Sequence, residues 1–142
     1  MVPQKLRIYA DSSVYGGAFE PGFQEHSLRF FEQVRQGRFA LVTSAVVTRE
    51  LGPAPPAVRR LGQEMLLHSE VLDIVPEAIS LAGAYLLAGI VGQKSADDAL
   101  HVALATVSGC YAIVSWNFRH IVQLHRIARY NAINVGARVW PY

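Results

Sequence analysis

Four oxygen-bearing side chains occupy positions next to apolar segments of the chain. Asp11 follows an apolar run, and Glu50, Asp98 and Asn117 each follow a later one. Carboxylate oxygens with neighbouring waters are the ligands that Mg²⁺ and Mn²⁺ prefer, usually through one or two carboxylates together with substrate phosphate. We therefore interpret these residues as a metal-binding acidic group, with Mg²⁺ or Mn²⁺ as the expected cofactor.

Each of these residues also has a purely structural interpretation. Asp11 could cap a turn, Glu50 could be a surface acid, and Asn117 could cap the segment that follows it. Asp98 matches the third position of a capping box at the start of a helix. His101 lies one turn beyond Asp98 and either contacts the site or hydrogen-bonds within the core, the core role being favoured.

Other common chemistries find little support in the sequence. A glycine-rich phosphate loop and a Gly-x-Ser-x-Gly nucleophile motif are both absent. The single cysteine, Cys110, allows neither an internal disulfide nor a Cys-based zinc site, which fits a reducing compartment. We therefore expect a cytoplasmic protein. A net charge of +2 permits nucleic acid as a partner without arguing for it.

The elements that must position the acidic group alternate between short β-type runs and helical patterns. The expected strands are a run ending at Asp11 and residues 39–43, 71–75, 111–116 and 138–140. The expected helices are residues 25–36, 45–51, 55–68, 76–91, 96–108 and a segment from 121, and a glycine-containing loop is expected between Asp11 and the first helix. This order favours a parallel sheet with right-handed crossovers. We predict an α/β fold, a three-layer α/β/α sandwich around a mostly parallel sheet.

Length and composition favour one domain. The chain has 142 residues, of which 51% are apolar and only 17% charged, so that a disordered chain is excluded. We assign residues 1–142 to a single domain. The helix predicted at 76–91 is apolar on nearly every side, which predicts burial within the fold or under a second subunit, with a homodimer slightly favoured. Its uncharged run is shorter than the roughly 20 residues of a membrane span, so no membrane association is expected.

Four stretches together resemble the PIN-domain ribonucleases, a family that includes the VapC toxins of toxin–antitoxin pairs. They are Ile8-Tyr9-Ala10-Asp11-Ser12-Ser13-Val14, Thr43-Ser44-Ala45-Val46-Val47-Thr48-Arg49-Glu50-Leu51, Asp98-Ala99-Leu100-His101-Val102-Ala103-Leu104-Ala105 and Val114-Ser115-Trp116-Asn117-Phe118. They occur in the family's order, and the likeness covers essentially the whole chain. Any one of these stretches would be a weak signal, but the set is fairly specific.

The resemblance implies roles for individual residues. It implies that Asp11, Glu50 and Asp98 hold Mg²⁺ or Mn²⁺, with Asn117 at a fourth position where many relatives carry Asp, and it selects Asp98 over its neighbour Asp97. Small hydroxyl residues support the carboxylates in the family, and here these are Ser12 and Ser115. Contacts with RNA are expected from Arg49, Lys94, Arg119 and His120, with Tyr15 or Phe19 available for base stacking.

The expected function is a metal-dependent endoribonuclease, plausibly the toxin of a toxin–antitoxin pair, with RNA and a cognate antitoxin as partners. The amide at Asn117 removes one negative charge and keeps open an alternative, a catalytically weak or inactive module that binds RNA or a partner protein. A small phosphatase-like or regulatory α/β domain with one metal is a further alternative. RNA cleavage with Mg²⁺ or Mn²⁺ distinguishes the endoribonuclease hypothesis from the two alternatives.

Overall fold

A computed structural model describes residues 5–89 and 96–117 of the chain. The strands are β1 (Arg7–Ala10), β2 (Ala40–Ser44), β3 (Ser69–Leu72) and β4 (Ala112–Val114). The helices are α1 (Ser12–Gly17), α2 (Gln24–Arg35), α3 (Ala45–Leu51), α4 (Pro56–Leu66), α5 (Pro76–Leu87) and α6 (Ala96–Val107). The expected strand at 138–140 and the helix from 121 lie outside the described residues, as does Ser95, the first residue of the capping box in which Asp98 was placed.

The strands form one parallel sheet in the order β3-β2-β1-β4. Ile8 on β1 is in register with Leu41 on one side and with Ala112 on the other, so β1 has neighbours on both edges. All four strands run in the same direction. The helices flank this sheet, which confirms the predicted α/β architecture with a parallel central sheet.

The core forms where the central strands meet the flanking helices. The last three residues of β1 are buried, as are Leu41 to Ser44 on β2, and they pack with buried residues of α3 and α6 such as Val46 and Val102. Strands that are buried along nearly their whole length are typical of parallel sheets covered on both faces. The carboxyl ends of β1 and β2 are thereby held rigidly side by side.

The segment after β1 is a helix and not the predicted glycine-containing loop. Asp11 has extended backbone geometry, and its side chain accepts a hydrogen bond from the backbone N–H of Ser13, so it caps α1. A side-chain Cβ at Gly17 would lie 2.6 Å from the Trp116 ring and 2.9 Å from the Ser27 hydroxyl. Glycine is therefore present in this helix because its neighbours approach closely.

Other element boundaries differ from the predicted ones by a few residues. The third strand spans Ser69–Leu72 and not 71–75, and it lies at the edge of the described sheet with Val71 exposed. Helix α5 ends at Leu87, before a Gly89 with a positive φ of 71°. In contrast, α3 has the predicted bounds, with the Ser44 side chain accepting from the Val47 N–H at its start.

Helix α5 is covered on one side by the rest of the described chain. Ala78, Leu81, Ala82 and Tyr85 are buried, mostly through packing between α5 and α6. Ile79 is 57% exposed and Leu87 92% exposed, so the expected burial on every side is not achieved within the described part of one chain. None of the helices described is long and apolar enough to span a membrane.

Candidate active site

Two of the predicted acidic residues, Asp11 and Glu50, are connected through Ser12 near the carboxyl ends of the strands. Asp11 directly follows β1, Ser115 directly follows β4, and Glu50 belongs to the helix that begins at the end of β2. This edge is where open parallel sheets bind their ligands, because the loops and helix starts that follow neighbouring strands meet there.

Asp11 is buried, and three donors surround its carboxylate. The residue is only 3% exposed. Oδ1 accepts hydrogen bonds from the Ser13 backbone N–H at 3.1 Å and from the Ser13 hydroxyl at 2.5 Å. Oδ2 accepts one from the Ser115 hydroxyl at 2.6 Å. The carboxylate is therefore fixed in orientation while it also caps α1.

Glu50 is partly exposed and is connected to the segment that carries Asp11 by Ser12. Its side chain is 28% exposed, and its Oε1 accepts a hydrogen bond from the Ser12 hydroxyl at 3.2 Å. The same oxygen lies 2.5 Å from Nε2 of His101. Ser12 follows Asp11 in the chain, so a single serine connects the segment that carries one acid to the side chain of the other.

A row of buried polar groups runs from Glu50 into the core. His101 is 1% exposed, and its Nδ1 lies 2.7 Å from the Tyr9 hydroxyl. That hydroxyl lies 2.8 Å from the hydroxyl of Ser44, at the start of α3. His101 therefore contacts the acidic group and hydrogen-bonds in the core, which are the two roles that the sequence left as alternatives.

Helix α6 brings Asp98 to the same side as His101. Residues three apart on a helix are neighbours on its surface, and His101 contacts Glu50, so Asp98 lies one turn away towards the start of the helix. Asp98 is partly exposed. Its neighbour Asp97 is engaged elsewhere, because its Oδ1 accepts a hydrogen bond from Nη2 of Arg49 at 2.6 Å.

Asn117 lies beyond the end of β4. Its backbone N–H donates to the Ser115 hydroxyl at 2.9 Å, and that hydroxyl in turn donates to Asp11. The Trp116 N–H similarly donates to the Ser13 hydroxyl at 2.9 Å, which also donates to Asp11. The segment after β4 is thus connected to Asp11 through two serine hydroxyls.

The residues expected to contact RNA are less fully placed. Arg49 has a side chain that is 59% exposed, and it forms the ion pair with Asp97. Lys94, Arg119 and His120 lie outside the described residues. The expectation for Tyr15 is wrong: this residue of α1 is 2% exposed, burial raises its pKa to about 12, and it cannot stack on a base.

A cleft of about 390 Å³ adjoins Glu50 and the two serines that follow Asp11. Its walls include Ser12, Ser13 and Glu50 on one side and Phe19 on the other. Phe19 is 48% exposed, so of the two aromatic residues considered for stacking it is the one that faces solvent near the acids. The cleft is open enough to admit a flexible polar ligand.

The donor set suits a hard divalent cation, although it is sparse. Mg²⁺ often keeps several waters and is held by one or two carboxylates, and Asp11 and Glu50 supply two such groups at one edge of the sheet. Within residues 5–89 and 96–117, no three His, Cys, Asp or Glu side chains stand close enough together to hold a metal ion. Any ion bound there would depend on water or phosphate for its remaining ligands.

Two site residues were missed at the level of sequence: Tyr9 and the hydroxyl of Ser44. Tyr9 precedes Asp11 by two positions on β1, so both side chains point to the same face of the sheet. That spacing was a usable signal for Tyr9. The role of the Ser44 hydroxyl could have been found only by knowing which strands are neighbours.

Comparisons with known proteins find similarity in structure and none in sequence. No protein-family model matches the chain, and no curated protein gives a significant match. A chain of VapBC2 from Rickettsia felis, solved bound to a DNA fragment from their promoter, superposes with a TM-score of 0.60 at 13% identity, covering 85% of this chain and 95% of that one. VapC20 of Mycobacterium tuberculosis, a toxin that cleaves the sarcin-ricin loop, superposes with a TM-score of 0.61 at 16% identity, covering 81% of this chain and 93% of that one.

These superpositions extend over most of both chains in each pair, so the similarity concerns the whole architecture and not a shared βαβ unit. They also agree with the parallel sheet of the described residues. At identities of 13% and 16% the likeness concerns the fold. The chain has the PIN-like fold of the VapC toxins.

Proposed function

We propose that this protein is a metal-dependent endoribonuclease and the toxin of a toxin–antitoxin pair. The observation that carries the proposal is the pair of carboxylates, Asp11 and Glu50, held by serine hydroxyls at the strand ends of a PIN-like fold. VapC20, with which the chain shares its fold, is described as a toxin that cleaves an RNA loop. We propose RNA as the substrate class here as well.

The site residues would divide the work of phosphodiester hydrolysis. We propose Asp11, Glu50 and Asp98 as the acids around a Mg²⁺ or Mn²⁺ ion, with Asn117 as a neutral fourth group. Because no three such acidic side chains of the described residues stand close enough to hold an ion directly, at least one of the acids would act through a bound water. A divalent ion supplies a water of lowered pKa and neutralises charge that develops on phosphoryl oxygens. Ser12, Ser13 and Ser115 orient the carboxylates, so that little reorganisation is needed when the anionic substrate arrives.

Substrate contacts are assigned to residues around the acids. Arg49 lies one position before Glu50, and an incoming phosphate would compete with Asp97 for its guanidinium. Phe19 offers an exposed ring on the wall of the adjoining cleft, where it could stack on an unpaired base. Lys94, Arg119 and His120 remain candidates by their position in the sequence.

A direct experiment tests the activity. Purified protein is incubated with an RNA pool and with an RNA containing the sarcin-ricin loop, in Mg²⁺, Mn²⁺ or EDTA, and the ends of the products are mapped. We expect cleavage that requires the divalent ion and is lost in Glu50→Gln. The matched control is Glu25→Gln, which changes a carboxylate that is 78% exposed on α2. Cleavage that persists in EDTA or in Glu50→Gln would contradict the proposal.

A second candidate is a module of this fold that binds RNA or a partner without cleaving. It is favoured by the amide at Asn117 and by the sparse donor set of the described residues. This candidate predicts that wild type and Glu50→Gln bind the same RNA with equal affinity and that neither cleaves it. The cleavage experiment and a binding assay on the same samples separate the two candidates.

We propose two protein partners, a cognate antitoxin and a second copy of the chain. The antitoxin is suggested by VapBC2, a toxin–antitoxin assembly that was solved on promoter DNA. The second copy is suggested by the exposed Ile79 and Leu87 on α5, which would be covered in a homodimer. Light scattering of wild type and Leu87→Glu tests the dimer, which we expect only for wild type.

Co-expression with a small gene adjacent to this one tests for the cognate antitoxin, which we expect to bind this protein in the cytoplasm.

A further inference from the structure

The polar residues Ser44, Tyr9 and His101 form a chain through an otherwise apolar core. Ser44 and Tyr9 are 0% exposed and His101 is 1% exposed, so none of them can contact RNA. Buried polar groups reduce stability unless they are hydrogen-bonded, and each of these has a partner at 2.5–2.8 Å. An apolar set of similar volume would fill the same space, so the row calls for a physical explanation.

The row begins and ends on the same short helix. Ser44 caps the start of α3, and Glu50 lies near its end. Between them the row passes through Tyr9 on β1 and His101 on α6, so both ends of α3 are fastened to two other elements of the core. The position of Glu50 relative to β1 is therefore set by groups that never reach the cleft.

Every donor and acceptor of this row has a partner when each residue donates to the next one, from Ser44 through Tyr9 and His101 to Glu50. The Ser44 oxygen already accepts from the Val47 N–H, so its own proton is available to Tyr9. The Tyr9 hydroxyl then donates to Nδ1 of His101, which leaves Nε2 to carry the proton of the neutral ring. Nε2–H donates to the Glu50 carboxylate, which in its ionised form can only accept hydrogen bonds.

The opposite direction leaves a proton without a partner in the row. If Nδ1 carried the proton and donated to Tyr9, the Tyr9 hydroxyl would donate to Ser44. The Ser44 hydroxyl would then need a further buried acceptor beyond Tyr9. Nε2 would also face the Glu50 carboxylate without a proton in the neutral ring. Burial raises the pKa of Tyr9, which keeps its hydroxyl protonated and able to donate.

We propose that Ser44, Tyr9 and His101 act as positioning residues that fix the Nε2–H tautomer of His101 and, through it, the orientation of the Glu50 carboxylate. The catalytic consequence rests on the ribonuclease function proposed above, whereas the tautomer and the orientation do not. Removing a residue that hydrogen-bonds to a metal ligand typically lowers metal affinity or activity by about ten- to a hundredfold. We expect an effect of that size through Glu50.

Tyr9→Phe is the substitution that tests the positioning role of the row, because it deletes one hydroxyl and keeps the ring. The matched control is Tyr15→Phe, which deletes the hydroxyl of another buried tyrosine, bonded to Thr43 and outside the row. Both variants are first compared with wild type by thermal melting, which measures the general effect of losing a buried hydroxyl. Differences beyond those of Tyr15→Phe are then attributed to the row.

Two readouts follow on the same samples. Nitrogen-15 NMR of the imidazole rings, with His101 assigned by its absence in His101→Gln, is expected to show Nε2 protonated and Nδ1 unprotonated in wild type. In Tyr9→Phe we expect a mixture of tautomers, and in Tyr15→Phe the wild-type pattern. For RNA cleavage we expect kcat to fall by about ten- to a hundredfold in Tyr9→Phe with little change in KM, because Tyr9 is buried.

The outcomes distinguish the positioning proposal from the ribonuclease proposal. The positioning proposal would be overturned if wild-type His101 were protonated at Nδ1. It would also be overturned if the spectrum and kcat of Tyr9→Phe equalled those of Tyr15→Phe. Absence of RNA cleavage in wild type would overturn the ribonuclease proposal, and the NMR result would still decide whether His101 is held as proposed. A fall in kcat with no change in the His101 tautomer would also count against the positioning proposal.

Discussion

The two carboxylates at the strand ends are held in different ways. Asp11 is buried, and two of its three hydrogen bonds come from Ser13, two residues away, so that most of its support is local. Glu50 is partly exposed, and its support comes from Ser12 on α1 and from His101 on α6, backed by Tyr9 and Ser44.

The difference shows how structural and chemical roles are divided within one site. Asp11 caps α1 with the same atoms that it offers to a ligand, so its substitution affects both folding and function. Glu50 caps no helix, and Glu50→Gln, which keeps an acceptor for the buried His101, should affect function with little change in folding. The following predictions test this distinction, from the largest expected effect to the smallest.

The largest effect is expected on RNA cleavage. Asp11→Asn, Glu50→Gln and Asp98→Asn should each lower kcat by more than the roughly 100-fold typical of outer supporting groups, because each removes a proposed ligand. Asp97→Asn should remain active, since Asp97 is engaged with Arg49. Mapped cleavage rates measure this. An inactive Asp97→Asn beside an active Asp98→Asn would mean that the acid on α6 has been misassigned.

The next effect is on stabilisation by metal. Mg²⁺ or Mn²⁺ at a hundredfold excess over its Kd should stabilise the folded protein by about 2.7 kcal/mol, because the unfolded chain does not keep the ligands together. Asp11→Asn and Glu50→Gln should both lose most of this response. Melting curves in EDTA and in each metal provide the measurement. An equal response in wild type and in both variants would place the ion elsewhere.

A smaller effect distinguishes the two acids in folding. Asp11→Ala removes the cap of α1 and should lower the free energy of unfolding by about 1 kcal/mol or more. Asp11→Asn should cost less, since asparagine also caps helices, and Glu50→Gln should cost little because its side chain is partly exposed. Urea denaturation without metal measures all three. Equal losses for Asp11→Ala and Glu50→Gln would remove the distinction drawn here.

The smallest effect concerns the exposed ion pair between Arg49 and Asp97. Arg49→Gln should change the free energy of unfolding by at most about 1 kcal/mol, because exposed pairs contribute little. It should raise KM for RNA more than it lowers kcat, and the change in KM should shrink at high salt. A large loss of kcat would instead assign Arg49 a role at the reacting phosphate.

Local signals explain which parts of the fold were predictable from sequence. The bounds of α3 were predicted because Ser44 and Gly52-Pro53 are strong start and stop signals. Helix α1 was missed because two adjacent glycines favour a loop, whereas here Gly17 makes room for the Trp116 ring from beyond β4. The third strand was misplaced because, at the edge of the described sheet, Ser69 and Glu70 are tolerated in it.

The same division applies to the site. Asp11 and Glu50 could be named because each follows an apolar run, whereas Ser115 was named from the resemblance to the PIN-domain ribonucleases. The role of Tyr9 could not be derived in this way, because its partners Ser44 and His101 lie 35 and 92 positions further along the chain. Long-range pairings of this kind depend on strand order and helix rotation, which periodicity does not determine.

The hydrogen bond between Ser115 and Asp11 also has a consequence for synthesis. It joins residues 104 positions apart, and β4 must pair with β1 before it can form. Contacts at such separation form late, because closing a long loop loses chain entropy before any contact compensates for it. A growing chain on the ribosome therefore carries Asp11 without Ser115 until β4 has emerged. We expect a nascent protein of this design to be inactive while it is still being made, close to the RNA of the ribosome that makes it.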